Sequence, residues 1–366
     1  MFSPRPRTSS SKSENLATQP LTNFSVFGNS NVVTEGWYPL YRARKLKAGR
    51  AVSVTILRQR ILLFRGQDQK VRALDAFCPH FGADLGNGQV QGNEIECPLH
   101  KWRFDGGGLI VAGGTDGAAC GKALLRSYPV AEHFGFIWVF SSERAQHNFP
   151  SPPALLSNDE GGMTGVFIGE CDLYAHHHVL MINCIDLQHF RGVHNLDVDF
   201  SFELKPGETG VLDWLVSGVL PRKGLKSRFA RLLIGNEFRY AARFAGGAVA
   251  IISYGVNQTI RGLGIPFPTL NLFWGCVPQE RGVSRIRVFA VTQKRPGILG
   301  FIVSTWLLLV TVGLLLMLRR EEISAFPNFR FNPRLVGAND ESAMTLVRKL
   351  EALKPSLWST AIQKEP

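Results

Sequence analysis

The sequence predicts an α+β chain in two parts: a small all-β domain followed by a larger mixed domain. Three features predict it. Short β-type runs crowd the first part of the chain, a Pro- and Ser-rich joint, FPSPPALLSNDEGG, follows at 149–162, and β-like and helix-like patterns mix beyond it. At 366 residues the chain can bury two cores, and its 45% hydrophobic and 19% charged composition is that of a globular protein.

Taken in order, residues 1–35 read as a disordered tail. They are rich in Ser, Arg and Asn, bear only a faint likeness to an organelle transit peptide, and no secretory signal opens the chain. From Gly36-Trp37-Tyr38 onward, runs at 52–57, 61–64, 71–74 and 136–140 are rich in β-branched and aromatic residues, with Gly- or charge-rich turns between them. They predict an all-β domain over 36–145 and a linker over 146–165. The remainder, 166–366, has β-like segments at 166–168, 248–254 and 284–291 and a helix-like one at 343–353. Within it, 298–318 reads ILGFIVSTWLLLVTVGLLLML. It holds no charge, Lys294-Arg295 and Arg319-Arg320 flank it, and it is long enough to cross a bilayer as a helix.

The net charge of +12 suits an acidic protein partner or an anionic membrane, and equally a merely basic surface kept soluble by its charge. No basic stripe interleaved with aromatics is present, so nucleic acid is not expected as a partner. The six cysteines are widely spaced, which suits a reducing compartment better than a disulfide framework.

Two short segments carry metal chemistry: Cys78-Pro79-His80 and Cys97-Pro98-Leu99-His100, with sixteen residues between His80 and Cys97. Two thiolates can hold one iron of a [2Fe–2S] cluster while two neutral imidazoles hold the other, which raises the reduction potential. Two Cys and two His also suit tetrahedral zinc, although zinc sites usually pair Cys with Cys and His with His. Further on, Asp186, His189 and His194 stand in an Asp-x-x-His-x-x-x-x-His order. Two imidazoles and a carboxylate can hold Fe(II) and leave positions open for O₂, while histidines in an aromatic-rich helix can equally be packing residues. His176-His177-His178 read as a β-like run, whose neighbouring side chains point to opposite faces. They are therefore expected at the surface or in a substrate cavity, unable to converge on a metal.

CPHFGADL and CPLHKWRFDGGG resemble the Rieske domain of the ring-hydroxylating and related non-haem iron oxygenases. Cytochrome-complex Rieske proteins carry an extra cysteine on each loop, and here Ala83 and Leu99 stand in that neighbourhood. GWYPLYRARKLKAGR, GFIWVF and EEISAFPNFRFNPRLV look like the 3-ketosteroid 9-alpha-hydroxylase and cholesterol 7-desaturase branch. The resemblance implies a Rieske domain joined to a helix-grip catalytic domain, an antiparallel sheet covered by helices. It implies a [2Fe–2S] cluster on Cys78, His80, Cys97 and His100, and mononuclear Fe(II) on His189, His194 and a distant carboxylate. Registering Phe326 on the branch's aromatic puts Glu322 at that third position, with Glu321 the alternative and a pair of exposed acids the plainer account. Asp186 would bridge electrons from a neighbouring subunit in a head-to-tail homotrimer.

The same resemblance implies a monooxygenase or desaturase that uses O₂ and electrons from NAD(P)H through a reductase or ferredoxin, on a sterol-like substrate. Other Rieske substrates, chlorophyll-catabolic or aromatic, and a bare electron carrier are the alternatives. A helix over 298–318 is about 30 Å long, so crossing a bilayer would put Glu322 on the side away from the histidines. The helix is therefore expected to lie against the catalytic domain with one apolar face in the membrane. That gives a protein on the cytoplasmic side of a membrane, or else a soluble cytoplasmic one.

Overall fold

Short runs rich in β-branched and aromatic residues build the first half of the chain. The computed structural model describes residues 24–113, 121–122, 124–153, 162–193, 198, 200–205, 209–222, 224–325 and 340–359. Its first strands are β1 (Trp37–Arg42), β2 (Arg50–Ile56), β3 (Gln59–Arg65), β4 (Val71–Asp75), β5 (Gln89–Gln91) and β6 (Glu94–Glu96). There follow β7 (Arg103–Phe104), β8 (Ile110–Ala112), β9 (Ser127–Tyr128), β10 (Val130–His133) and β11 (Phe136–Phe140). They make sheets of order β1-β11-β10, β2-β3-β4-β9 and β5-β6-β7-β8, all pairs antiparallel.

β3 shows why an unbroken apolar run is a strand here. Ile61 and Leu63 enter one core with Tyr38, Ile137 and Val139, whereas Leu62 and Phe64 enter another with Leu74, Cys78, Cys97 and Phe104. Successive side chains of a strand face opposite ways, so a run that is apolar at every position needs a core on both sides.

The second half holds β12 (Met163–Leu173), α1 (His177–Asn183), α2 (Leu187–Gly192), β13 (Phe200–Lys205), β14 (Val211–Val219) and α3 (Leu225–Ile234). It continues with β15 (Glu237–Ala245), β16 (Val249–Tyr254), β17 (Leu270–Pro278), β18 (Ser284–Gln293), α4 (Gly297–Ala325) and α5 (Glu341–Glu351). The seven strands form one antiparallel sheet of order β12-β18-β17-β16-β15-β14-β13. β13 to β18 are a meander, but β12 and β13, adjacent in sequence, lie on opposite edges. The chain between them must cross six strand spacings, about 29 Å. That crossing contains α1 and α2, which is why they lie across the middle of a face.

Both faces of the sheet are covered. Tyr240, Ala242, Phe244, Ile252 and Ile286 face α1, α2 and α5. Val249, Ile251, Phe273, Phe289 and Val291 face the other way, onto Trp37, Phe136, Trp138 and Phe140. The β1-β11-β10 sheet thus packs on the side opposite the helices. Gly275 allows this approach, since a Cβ there would lie 2.7 Å from the Trp138 ring and 2.6 Å from Pro39. A buried ion pair pins the first part of the linker: Arg243 donates to both Asp213 oxygens at 2.6 and 2.7 Å and to the Ser151 carbonyl at 2.9 Å. The result is the expected α+β architecture.

Candidate metal centres

The two Cys–His loops repeat one local design. In the first, the Cys78 N–H donates to the Ala83 carbonyl and the Gly82 N–H donates back to the Cys78 carbonyl, both at 2.8 Å. In the second, the Cys97 N–H donates to the Trp102 carbonyl at 2.7 Å and the Lys101 N–H to the Cys97 carbonyl at 3.2 Å. Each loop therefore closes on itself five residues after its cysteine. The residue four after each cysteine has positive φ, +74° at Gly82 and +58° at Lys101, a conformation that glycine adopts freely and lysine does not. Only the histidine offset differs, two residues in one loop and three in the other.

Cys78 and Cys97 are buried in the core of this lobe, while His80 is half-buried and His100 is exposed. The imidazole centroids of His80 and His100 lie 4.6 Å apart. Phe81 and Trp102 stack on the two sides of His80 at 4.1 and 4.7 Å, and His80 Nδ1 is buried with no hydrogen-bond partner. Burial, reinforced by the neighbouring Cys97, pushes the Cys78 thiol up to about 11; bonding to a metal would deprotonate it outright. Two adjacent buried sulfurs and an orphaned imidazole nitrogen beside an exposed one are a donor set that fits a [2Fe–2S] cluster. Asp84 braces the first loop, accepting from Arg60, the Ser53 hydroxyl and the Gly86 N–H.

The second set of candidates sits on the crossing helices. Asp186 caps α2, its Oδ1 accepting the N–H groups of Gln188 at 2.9 Å and His189 at 3.3 Å. The His189 side chain is buried, with its Nε2 3.2 Å from the Asn183 amide nitrogen. Asn183, three residues before Asp186, is a neighbour of His189 that sequence reasoning did not single out. Around them, Tyr240 donates to the Cys184 carbonyl at 3.1 Å and Ser342 to the Ile185 carbonyl at 3.1 Å, fixing the turn between α1 and α2 from both sides. His194 lies outside the described residues. So do the segment around Phe326 and the side chains of Glu321 and Glu322 on α4. Of the expected iron-site residues, the described part therefore brings Asp186 and His189 together.

One expectation is overturned. His176, His177 and His178 are not on a strand and not at the surface. β12 stops at Leu173, and His176 becomes the N-cap of α1, its Nδ1 accepting the His178 N–H at 3.2 Å. The turn gathers the side chains, which are all buried, with one ring nitrogen of each within 4.8 Å of the others.

The apolar helix is longer than expected. α4 spans 29 residues and packs on β12, β17 and β18. Ser304, Leu307 and Thr311 are its buried stripe, and Ser304 donates to the Gln293 carbonyl at 3.1 Å. Its large apolar side chains turn outward: Ile298 is 83%, Phe301 70%, Trp306 56% and Leu309 65% exposed.

Comparison with known proteins agrees with this geometry. Residues 36–129 match the model of the Rieske [2Fe-2S] domain. Cholesterol 7-desaturase nvd of Bombyx mori is 34% identical over 165 residues, covering 44% of this chain and 35% of that one. A probable 3-ketosteroid-9-alpha-monooxygenase oxygenase component of Rhodococcus rhodochrous is 31% identical over 43% of this chain and 41% of its own. Protein TIC 55, chloroplastic, of Arabidopsis thaliana is 28% identical over 72% of this chain and 48% of its own. The chain thus matches between about a third and half the length of these relatives. Among solved structures, dicamba monooxygenase with non-heme iron and dicamba superposes with a TM-score of 0.53 at 20% identity, covering 88% of this chain and 98% of that one. Matched loops at one end and matched architecture throughout lead to one conclusion: residues 36–129 are a Rieske [2Fe–2S] domain, and the chain has the fold of the Rieske oxygenases.

Proposed function

We propose that the chain is the oxygenase component of a Rieske non-haem iron enzyme that hydroxylates or desaturates an apolar, sterol-like molecule. It would use O₂ and electrons from NAD(P)H delivered by a reductase or ferredoxin. The observation that carries this reading is the pairing, in one chain, of the Cys–His loops with a seven-stranded sheet whose crossing helices hold Asp186 and His189. The sterol class rests on the names of the Bombyx and Rhodococcus relatives.

Cys78 and Cys97 would hold one iron of the cluster, and His80 and His100 the other; such a cluster supplies single electrons at a raised potential. His189, His194 and Glu322 would hold the mononuclear iron, with Asp186 and Asn183 orienting His189. The sheet bears on the reading too. The β1-β11-β10 sheet of the cluster domain packs on one face and His189 stands over the other, so a path within one chain would have to pass the sheet. An exposed His100, rimmed by exposed Phe81 and Leu99, suits delivery to Asp186 of a neighbouring copy in a head-to-tail trimer. The +12 charge suits an acidic electron donor.

α4 would place the enzyme at the cytoplasmic face of a membrane. A helix that packs on the sheet through Ser304, Leu307 and Thr311 cannot cross a bilayer with that same stretch. Its outer face would instead lie among lipid chains beside the entrance for an apolar substrate.

Iron counting and spectroscopy test the core of the reading. Three irons per chain and a rhombic Rieske signal on reduction are expected, with the mononuclear site perturbed by a sterol added anaerobically. Two irons and no third would leave an electron carrier, and zinc in place of iron would sink the proposal altogether. Labelling of Gln293→Cys and Ser324→Cys from opposite faces of sealed vesicles would refute the arrangement of α4.

A further inference from the structure

The antiparallel register brings three connections to one end of the seven-stranded sheet. Gln293, Leu270, Tyr254, Glu237 and Val219, terminal residues of β18, β17, β16, β15 and β14, stand at that end. The connection from β18 leads into α4, the one between β16 and β17 is a hairpin over 255–269, and the one between β14 and β15 contains α3. Strand order therefore sets α4, hairpin and α3 in a row about four strand spacings, roughly 19 Å, long. The segments that lead into β12 and β13 at the same end lie largely outside the described residues.

The hairpin is a closed turn with apolar side chains on its outside. The Phe267 N–H donates to the Gln258 carbonyl and the Ile260 N–H to the Ile265 carbonyl, both at 2.8 Å. Gln258 ties the base to β15 by donating to the Glu237 carbonyl at 2.7 Å. Beyond those bonds Leu263 is 67% and Ile265 50% exposed. A Cβ at Gly262 or Gly264 would meet nothing within 4 Å, so the tip projects clear of the protein. Arg261 leans toward α3, donating to the Arg231 carbonyl at 3.4 Å. On that side Leu232 is 68% and Val219 61% exposed.

On the other side α4 begins. Ser304 donates to the carbonyl of Gln293, the last residue of β18, so residues 297–303 stand beyond the strand's end. Ile298, Leu299, Phe301 and Ile302 there are each more than half exposed, and 3.6 residues per turn points them round the helix rather than to one side. Apolar side chains thus line one end of the sheet, and such a patch marks a surface that meets something else. Charge selects the partner. The connections over 220–236, 255–269 and 294–296 carry eight Lys and Arg and no Asp or Glu, with exposed Arg222, Arg228 and Arg261 among the apolar residues. Two copies meeting through this end would set like charges together. Anionic headgroups neutralise the cations, while acyl chains take the apolar tips.

We propose that the hairpin tip at 260–266, Val219 and Leu232 beside it, and the first two turns of α4 form one surface that docks on an anionic lipid bilayer, so that the sheet meets the membrane end-on. The proposal rests on the reading of α4 as lying against the bilayer rather than through it, and adds which other segments enter. A substrate dissolved in that bilayer would meet the protein where half-buried Phe238 and Tyr254 stand. Both rings neighbour Tyr240, which packs on Phe190 beside His189.

The test uses the full, cluster-loaded chain with Cys120→Ser and Cys171→Ser and a polarity-sensitive dye on Leu263→Cys. On vesicles of phosphatidylcholine and phosphatidylserine in equal parts, its emission should shift to the blue and be quenched by spin-labelled lipid. The same dye on Lys205→Cys, at the opposite end of β13, should stay wet. A wet Leu263→Cys beside a shifted Leu309→Cys overturns the proposal and leaves the reading of α4 standing; no shift at either position overturns both. A blue shift that grows with protein concentration in the absence of lipid makes the partner a second copy and also overturns it, as does an equal shift on phosphatidylcholine alone. Leu263→Ser/Ile265→Ser should weaken vesicle binding about tenfold with Tm and the rhombic signal unchanged; wild-type affinity in that variant refutes the docking.

Discussion

Replacement of Asp186 separates two tasks that one carboxylate can perform. Its Oδ1 accepts two N–H groups at the start of α2, at 2.9 and 3.3 Å. Losing an Asp N-cap costs about 1 kcal/mol. In a helix of six residues that cost is felt locally, shifting the ordered population of α2 by about fivefold while global melting hardly changes. Asp186→Ala is therefore expected to lower mononuclear iron occupancy several-fold and leave the rhombic signal of the reduced cluster intact. Asp186→Asn is the decisive variant, since it keeps an acceptor oxygen at the cap and removes only the charge. It should bind iron and melt like the wild type, yet fail to pass an electron from reduced cluster to mononuclear iron in a single-turnover assay. Wild-type turnover by Asp186→Asn would refute the bridging role and leave Asp186 as a helix cap.

Other perturbations bear on separate parts of the molecule. Cys78→Ser should abolish the rhombic signal, because a hydroxyl replaces a thiolate poorly on iron; an unchanged spectrum would remove Cys78 from the ligand set. Asp213→Ala should cost about 3–5 kcal/mol by leaving the Arg243 guanidinium buried and unpaired, whereas the double variant Asp213→Leu/Arg243→Met should recover most of it in urea titrations. Stability should also fall as pH drops from 6.5 to about 4, the range over which burial lowers His177, with His176 and His178 likewise held well below 6.5. The unfolded chain takes up protons there that the folded chain refuses, so each such residue costs up to about 1.4 kcal/mol per pH unit. A urea midpoint that stays constant across that window in the wild type would contradict the burial of the three imidazoles. On α4, Leu309→Asp should release the protein from anionic vesicles without lowering Tm, and Leu307→Asp should destabilise the fold; the reverse pattern would mean that the wrong face has been assigned to lipid.

What the sequence by itself determined is whatever short-range chemistry specifies. Runs rich in β-branched and aromatic residues marked β2, β3, β4 and β11, because such side chains fit a pleated strand. The Cys-x-His and Cys-x-x-His order marked the cluster loops, because each pair of candidate ligands lies on one tight turn. The long apolar run marked α4. The tertiary structure decided what depends on distant partners. β12 and β13 lie on opposite edges of the sheet through pairings with β18 and β14, which no local pattern encodes, and this alone throws α1 and α2 across the sheet. The histidine triplet was misjudged for a similar reason. Read as a strand, its side chains diverge. Once the His176 imidazole caps a helix and Phe27, Gly247 and Ser284 close around it from three remote parts of the chain, they meet. Likewise the composition of α4 announces an apolar helix without saying which side is inward. Ser304, Leu307 and Thr311 face the protein only because β12, β17 and β18 lie against that stripe.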